Sequence, residues 1–187
     1  MANAARKVVV FVFGPDRPGI IAAVSETLYR ERCNLEDVSH TTLQAQFVGL
    51  FIASLPSGAR EEDLLFALQG SLASMRLFVH LRGLDAARAF EPPPSDPFVI
   101  TTVGPDRPGL VAGITGVLAH YGVNIDNMKA VQRGGEEHRE FVMFYEVAVP
   151  AAVDHRRFRE ALATKAAELG LDVNLQHRDI FEQVNRV

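Results

Sequence analysis

The spacing of hydrophobic positions changes period in a fixed order along this chain, and the whole series runs twice. Lys7–Phe13 is a β-branched and aromatic run that stops at Gly-Pro, the pattern of a strand. From Pro18 to Glu31 the apolar residues Ile20, Ile21, Val24 and Leu28 recur at helical spacing. Asp16 is placed to cap that helix, and Pro18 suits its first turn. Strands are expected over 34–43 and 47–55. A second helix is expected over 61–75, with Leu64, Leu65, Leu68 and Leu72 along one face, followed by a short strand over 77–81. The same order then returns as strand 98–103, helix 108–121, strands 125–131 and 141–149, helix 154–169 and strand 171–176. The expected fold class is α+β: two ferredoxin-like βαββαβ domains, each a four-stranded antiparallel sheet with two helices on one face. Strand alternation assigns Phe11, Phe13, Phe47 and Phe51 to the core.

A repeated sequence underlies the repeated pattern. The hexapeptide Gly14-Pro15-Asp16-Arg17-Pro18-Gly19 returns unchanged 90 residues later as Gly104-Pro105-Asp106-Arg107-Pro108-Gly109. Asn34-Leu35-Glu36 matches Asn124-Ile125-Asp126 at the same offset, and Phe47–Phe51 lies opposite Phe141–Tyr145 at an offset of 94. The additional residues fall within 132–140, where Gly134-Gly135 and several charges point to a longer hairpin loop. The expected organisation is a first domain over 1–86, a Pro-rich linker over 87–97 containing Pro92-Pro93-Pro94, and a second domain over 98–187. Residues 179–187 form a short extension of that domain.

Composition narrows the functional classes. The chain has 187 residues, 48% apolar and 22% charged, enough for a real core even when divided in two. A net charge of −4 gives no basic footprint for nucleic acid, so no direct nucleic-acid partner is expected. No apolar run approaches the ~20 residues of a membrane span. The N-terminus lacks the order of a signal peptide, and a single cysteine excludes an internal disulfide. A cytoplasmic protein without membrane contact is expected. Cys33 aligns with Val123, which assigns it to the core rather than to nucleophilic chemistry. No dinucleotide-binding or P-loop motif occurs, and the six histidines show no metal-ligand spacing. His177-Arg178-Asp179 echoes a kinase catalytic loop without the rest of that signature. His40 reads as a surface histidine, and Arg156, Arg157 and Arg159 as a solvated helix face. The expectation is no enzyme, no catalytic residues, no metal and no cofactor.

The duplicated loop carries the candidate chemistry. It joins a strand to a helix N-terminus, where unpaired N–H groups and the positive end of the helix dipole suit a carboxylate or a phosphate. Gly19 and Gly109 let a ligand approach the backbone, and Pro18 and Pro108 fix it beforehand. Asp16 and Asp106 can accept from an ammonium group, so the loop offers both halves of an amino-acid site. A rigid turn and helix cap explains the same residues. Arg17 and Arg107 can orient a carboxylate or help join modules, while Asn34 and Asn124 can both donate and accept.

With the Gly-x-Asp-x-Pro-Gly loop after the first strand and Asn-Leu or Asn-Ile opening the second, each copy resembles an ACT domain. Two such copies and little else resemble the glycine cleavage system transcriptional repressor family. The resemblance implies an amino-acid-binding regulator acting through a protein partner such as a transcription factor or an enzyme, as a homodimer, with glycine or another small amino acid as ligand. It implies that the ligand sits between two modules, the loop of one facing the second strand of the other. The ligand residues are then Asp16, Arg17, Pro18, Gly19, Asn34 and Leu35, with Asp106, Arg107, Pro108, Gly109, Asn124 and Ile125 in the second copy. A structural interaction module, or a regulatory subunit of a multi-chain biosynthetic enzyme, stands as the alternative.

Overall fold

The computed structural model describes residues 6–84, 91–133 and 140–185. The chain divides into two compact units, one on each side of the 90/91 junction. The first contains β1 (Arg6–Pro15), α1 (Ile20–Arg30), β2 (Asn34–Leu43), β3 (Gln46–Leu55), α2 (Glu61–Leu72), a single 3-10 turn (Ala73–Met75) and β4 (Phe78–Gly83). The second contains β5 (Ser95–Pro105), α3 (Leu110–His120), β6 (Asn124–Arg133), β7 (Glu140–Pro150), α4 (His155–Glu168), β8 (Asp172–His177) and α5 (Arg178–Asn185). The sheets run β2-β3-β1-β4 and β6-β7-β5-β8, antiparallel throughout. Two α+β ferredoxin-like sandwiches result, as the two periodicities require.

Each unit has its own core. In the first, Val8, Val10, Val12, Phe51 and Ala53 pack against Ile20, Val24 and Leu28 of α1 and Leu64, Leu68 and Leu72 of α2. In the second, Ile100, Met143, Tyr145 and Val147 meet Ile114, Leu118, Phe158 and Leu162. Cys33 is buried, as is its counterpart Val123. Burial, reinforced by nearby Glu31, pushes the Cys33 thiol pKa up and keeps it protonated.

Several expectations need correction. Phe47 and Phe51 are in the core, but Phe11 is half-buried and Phe13 is exposed. Alternation along β1 sends Val8, Val10 and Val12 to the helices and so turns Phe11 and Phe13 to the opposite face. The second unit's first strand begins at Ser95, three residues earlier than expected, with Pro97 opposite Ala148. β8 joins β5 only from Phe98 onward, so Pro97 lies where one side of β5 is unpaired and its missing N–H costs no ladder bond. Residues 87–90 of the expected linker and 134–139 of the longer hairpin lie outside the described residues. The C-terminal extension is a helix, α5, packed against β5 and β8.

Candidate functional site

The first glycine of each hexapeptide is required by packing. A Cβ on Gly104 would lie 2.6 Å from Leu171 Cδ2 and 2.8 Å from the Gly170 carbonyl oxygen. On Gly14 it would lie 2.9 Å from Leu77 and 3.0 Å from the Arg76 oxygen. The end of β1, and equally of β5, therefore passes directly over the turn that opens the last strand of its sheet.

The second glycine has a different task. Gly19 and Gly109 are the N-cap residues of α1 and α3, at φ 95° and 94°, and neither helix receives a side-chain cap. Asp16 is therefore not the cap expected from the sequence, and Pro18 lies ahead of the first turn rather than in it. A left-handed cap with no side chain turns the chain sharply enough to leave the aspartate behind. The helical ladder starts with Ala23 N–H to the Gly19 carbonyl at 2.9 Å and Gly113 N–H to the Gly109 carbonyl at 2.9 Å. The N–H groups of Ile20, Ile21 and Ala22, and of Leu110, Val111 and Ala112, precede any intrahelical acceptor. Among the described residues, a Cβ added at Gly109 would meet nothing within 4 Å, so they leave the approach to these donors open.

The aspartates are held by the second strand of their own unit and, for Asp16, by the turn that follows it. Asp16 N–H donates to the Ala45 carbonyl at 2.8 Å, and its carboxylate accepts from Thr42 Oγ1 at 3.4 Å. Asp106 accepts from Gln132 Nε2 at 2.8 Å. Thr42 and Gln132 are themselves 90 residues apart, so the repeat offset was the signal that could have identified them. Around the second loop lies an open hollow of about 780 Å³, formed by Asp106 to Ala112 and Phe141. The guanidinium of Arg107 reaches toward the α4–β8 turn, 3.6 Å from where a Cβ on Gly170 would stand.

The asparagines lie elsewhere. Asn34 pairs with Ser54 at one end of β2, whereas Thr42 and Asp16 are at the other. Thr42 lies eight steps along the strand from Asn34, about 26 Å. Asn124 occupies the same end of β6, opposite Ala148. Within one unit, then, the loop residues come together and the asparagines do not join them. Asn124 Nδ2 donates to Asp126 Oδ1 at 2.7 Å, a local bond. Leu35 and Ile125 pack against the cores of their own units. Both second strands carry a register shift just after these residues. In the first unit, Glu36 at that bulge pairs with Lys7 and accepts from Ser54, which holds its carboxyl below the usual range. An open hollow of about 520 Å³ at this end is lined by Tyr29, Arg30, Arg32, Cys33 and Asn34.

Among the described residues, no three His, Cys, Asp or Glu side chains gather to hold a metal ion. No described helix is long and apolar enough to cross a membrane.

Comparison with known proteins follows the same division. The ACT domain family model matches residues 6–81 and again 96–176. A UPF0237 protein of Methanopyrus kandleri is 38% identical over 89 residues, covering 48% of this chain and 96% of its own. Another, from Methanosarcina acetivorans, is 36% identical over 95 residues, or 50% and 98%. Among solved structures, an unknown protein from Galdieria sulphuraria superposes with a TM-score of 0.76 at 25% identity, covering 92% of this chain and 98% of that one. A candidate glycine cleavage system transcriptional repressor superposes with a TM-score of 0.69 at 17% identity, covering 93% and 98%, and shares the fold.

Proposed function

The chain belongs to the ACT domain family, in two copies, and from that premise we propose that it is a non-enzymatic regulatory protein that binds a small amino acid. The observation that carries this reading is the same pairing in both units: a helix N-terminus without a side-chain cap, beside an exposed aspartate anchored by its own second strand. The N–H groups and helix dipole favour the ligand carboxylate, and Asp16 or Asp106 its ammonium group. Arg17 and Arg107 follow those aspartates in the chain and add positive charge to the loops.

The asparagines complete the site from another ACT module, because each lies at the far end of its own second strand. A ligand bound where two modules meet favours the assembled state, and that population shift is the signal. A protein partner such as a transcription factor or an enzyme reads it, in the control of amino-acid metabolism. Glycine is the first ligand to test, given the small loops and the glycine-cleavage description of one structural neighbour.

A thermal-shift screen of the full chain against the twenty amino acids tests the proposal. A ligand that binds only the folded state, at 100 times its dissociation constant, adds ~2.7 kcal/mol and raises the melting midpoint by several degrees. One amino acid is expected to give that shift, reduced by Asp16→Ala or Asp106→Ala and abolished by both. No shift from any amino acid at millimolar concentration overturns it. A salt-sensitive gel shift by the purified protein alone would overturn the route through a partner.

A further inference from the structure

On the side away from α1 and α2, the middle of the first sheet is apolar and bare among the described residues, with Lys7, His80 and Arg82 on the same face of β1 and β4. β1 presents Val9, Phe11 and Phe13 there, β3 presents Leu50 and Ile52, and β4 presents Phe78. Phe13 is 41% exposed, Leu50 45% and Phe78 62%. Phe13 stands opposite Phe78, Phe11 opposite Leu50, and Val9 opposite Ile52, so these side chains form one continuous patch. Patches of this kind mark interaction sites.

The second unit shows the same face in another condition. Where the first has Phe11, Ile52 and Phe78, the register of the second places Thr101, Glu146 and Asp172. α5 also packs there against β5 and β8, and Phe181 joins Thr101, Phe144 and Asn174 around a hollow of about 400 Å³. Apolar, unroofed character is thus a property of one copy, not of the fold.

We propose that this face of the first unit is where two copies of the chain associate, sheet against sheet. The charges on the face choose a second copy over an unrelated partner. One cross-strand row runs Asp37, Ile52, Val9, Arg82, from the β2 edge to the β4 edge. Its two ends are a carboxylate and a guanidinium, and its middle is apolar. A two-fold axis parallel to the strands exchanges left and right. It sets Asp37 of one copy over Arg82 of the other, twice, and stacks Val9 and Ile52 at the centre. A face that is its own electrostatic complement under a two-fold operation suits an isologous contact. Sheets packed ~10 Å apart and crossing at about 30° preserve that pairing. Four strands ~4.8 Å apart and up to about ten residues long offer on the order of 600 Å² per partner. That is somewhat below the ~800 Å² per partner of a standard interface, which points to a dimer in exchange with monomer.

Sedimentation velocity of the full chain, without added amino acid and with both loops unaltered, tests this separately from ligand binding. The expected result is a dimer that dissociates across the micromolar range. Phe78→Asp and Leu50→Asp are each expected to weaken association roughly tenfold or more, with the far-UV circular dichroism spectrum of the diluted monomer unchanged because both positions are exposed. Asp37→Arg weakens it as well, and the exchange Asp37→Arg with Arg82→Asp restores it. A monomer at every concentration overturns the proposal. So does a dimer that Phe78→Asp leaves intact, which would place the contact on another surface.

Discussion

Each residue of the first unit has a counterpart in the second, and the places where the two differ in chemistry are informative. Thr102 is fully buried in the second core, and its hydroxyl finds no hydrogen-bond partner among the described residues. Its counterpart is Val12, equally buried, with nearly the same shape and no polar atom. A buried hydroxyl without a partner costs on the order of 1–3 kcal/mol in lost hydration. Thr102→Val is therefore expected to stabilise the chain by about 1 kcal/mol, since it removes that cost and leaves the packing volume in place. Urea denaturation measures it. A destabilised variant would show that the hydroxyl is satisfied in solution, for example by a buried water.

At the scale of elements, the hexapeptide solves two problems with two glycines, and substitutions separate them. Alanine at Gly104 forces a Cβ against the Gly170 carbonyl and Leu171, and backbone has little room to yield. The expected cost is about 3 kcal/mol. Alanine at Gly109 meets no neighbour and incurs only the left-handed conformation at φ 94°, about 1–2 kcal/mol. Chemical denaturation of both variants checks the order, and an equal loss would mean that the space beside Gly109 is filled in solution. The same loop marks how far the sequence could be read. Periods of two and of three to four residues were enough to place the strands and the main helices, because β1 and α1 each bury one continuous stripe. The cap was not readable, because Asp16 with Pro18 two residues on fits a turn ahead of a helix as well as its N-cap and first turn. The choice is made by a φ angle at Gly19 that no side chain announces. The face of Phe13 was misread for a related reason. Alternation fixes which residues share a side of a strand, and here the smaller set, Val8, Val10 and Val12, faces the helices while the aromatic set does not.

At the scale of the whole molecule, duplication was legible from the hexapeptide alone, but the separation of the loop from Asn34 was not. Only the register of β2 against β3 shows that they occupy opposite ends of a ten-residue strand. The loop and Asn34 of one unit are thus far apart, yet each unit is a whole folding problem. Each has a complete four-stranded sheet, two helices packed against it in a closed core of its own, and the second adds α5. The Methanopyrus kandleri relative, matched over 96% of its length by 48% of this chain, is a protein of about one unit. We propose that residues 1–90 and 91–187 fold independently. Expressed separately, each is expected to melt in one cooperative transition, with a stability of roughly 5 kcal/mol at this size. Circular dichroism and denaturant titration decide it. If either half lacks a cooperative transition, that unit depends on the other for its fold.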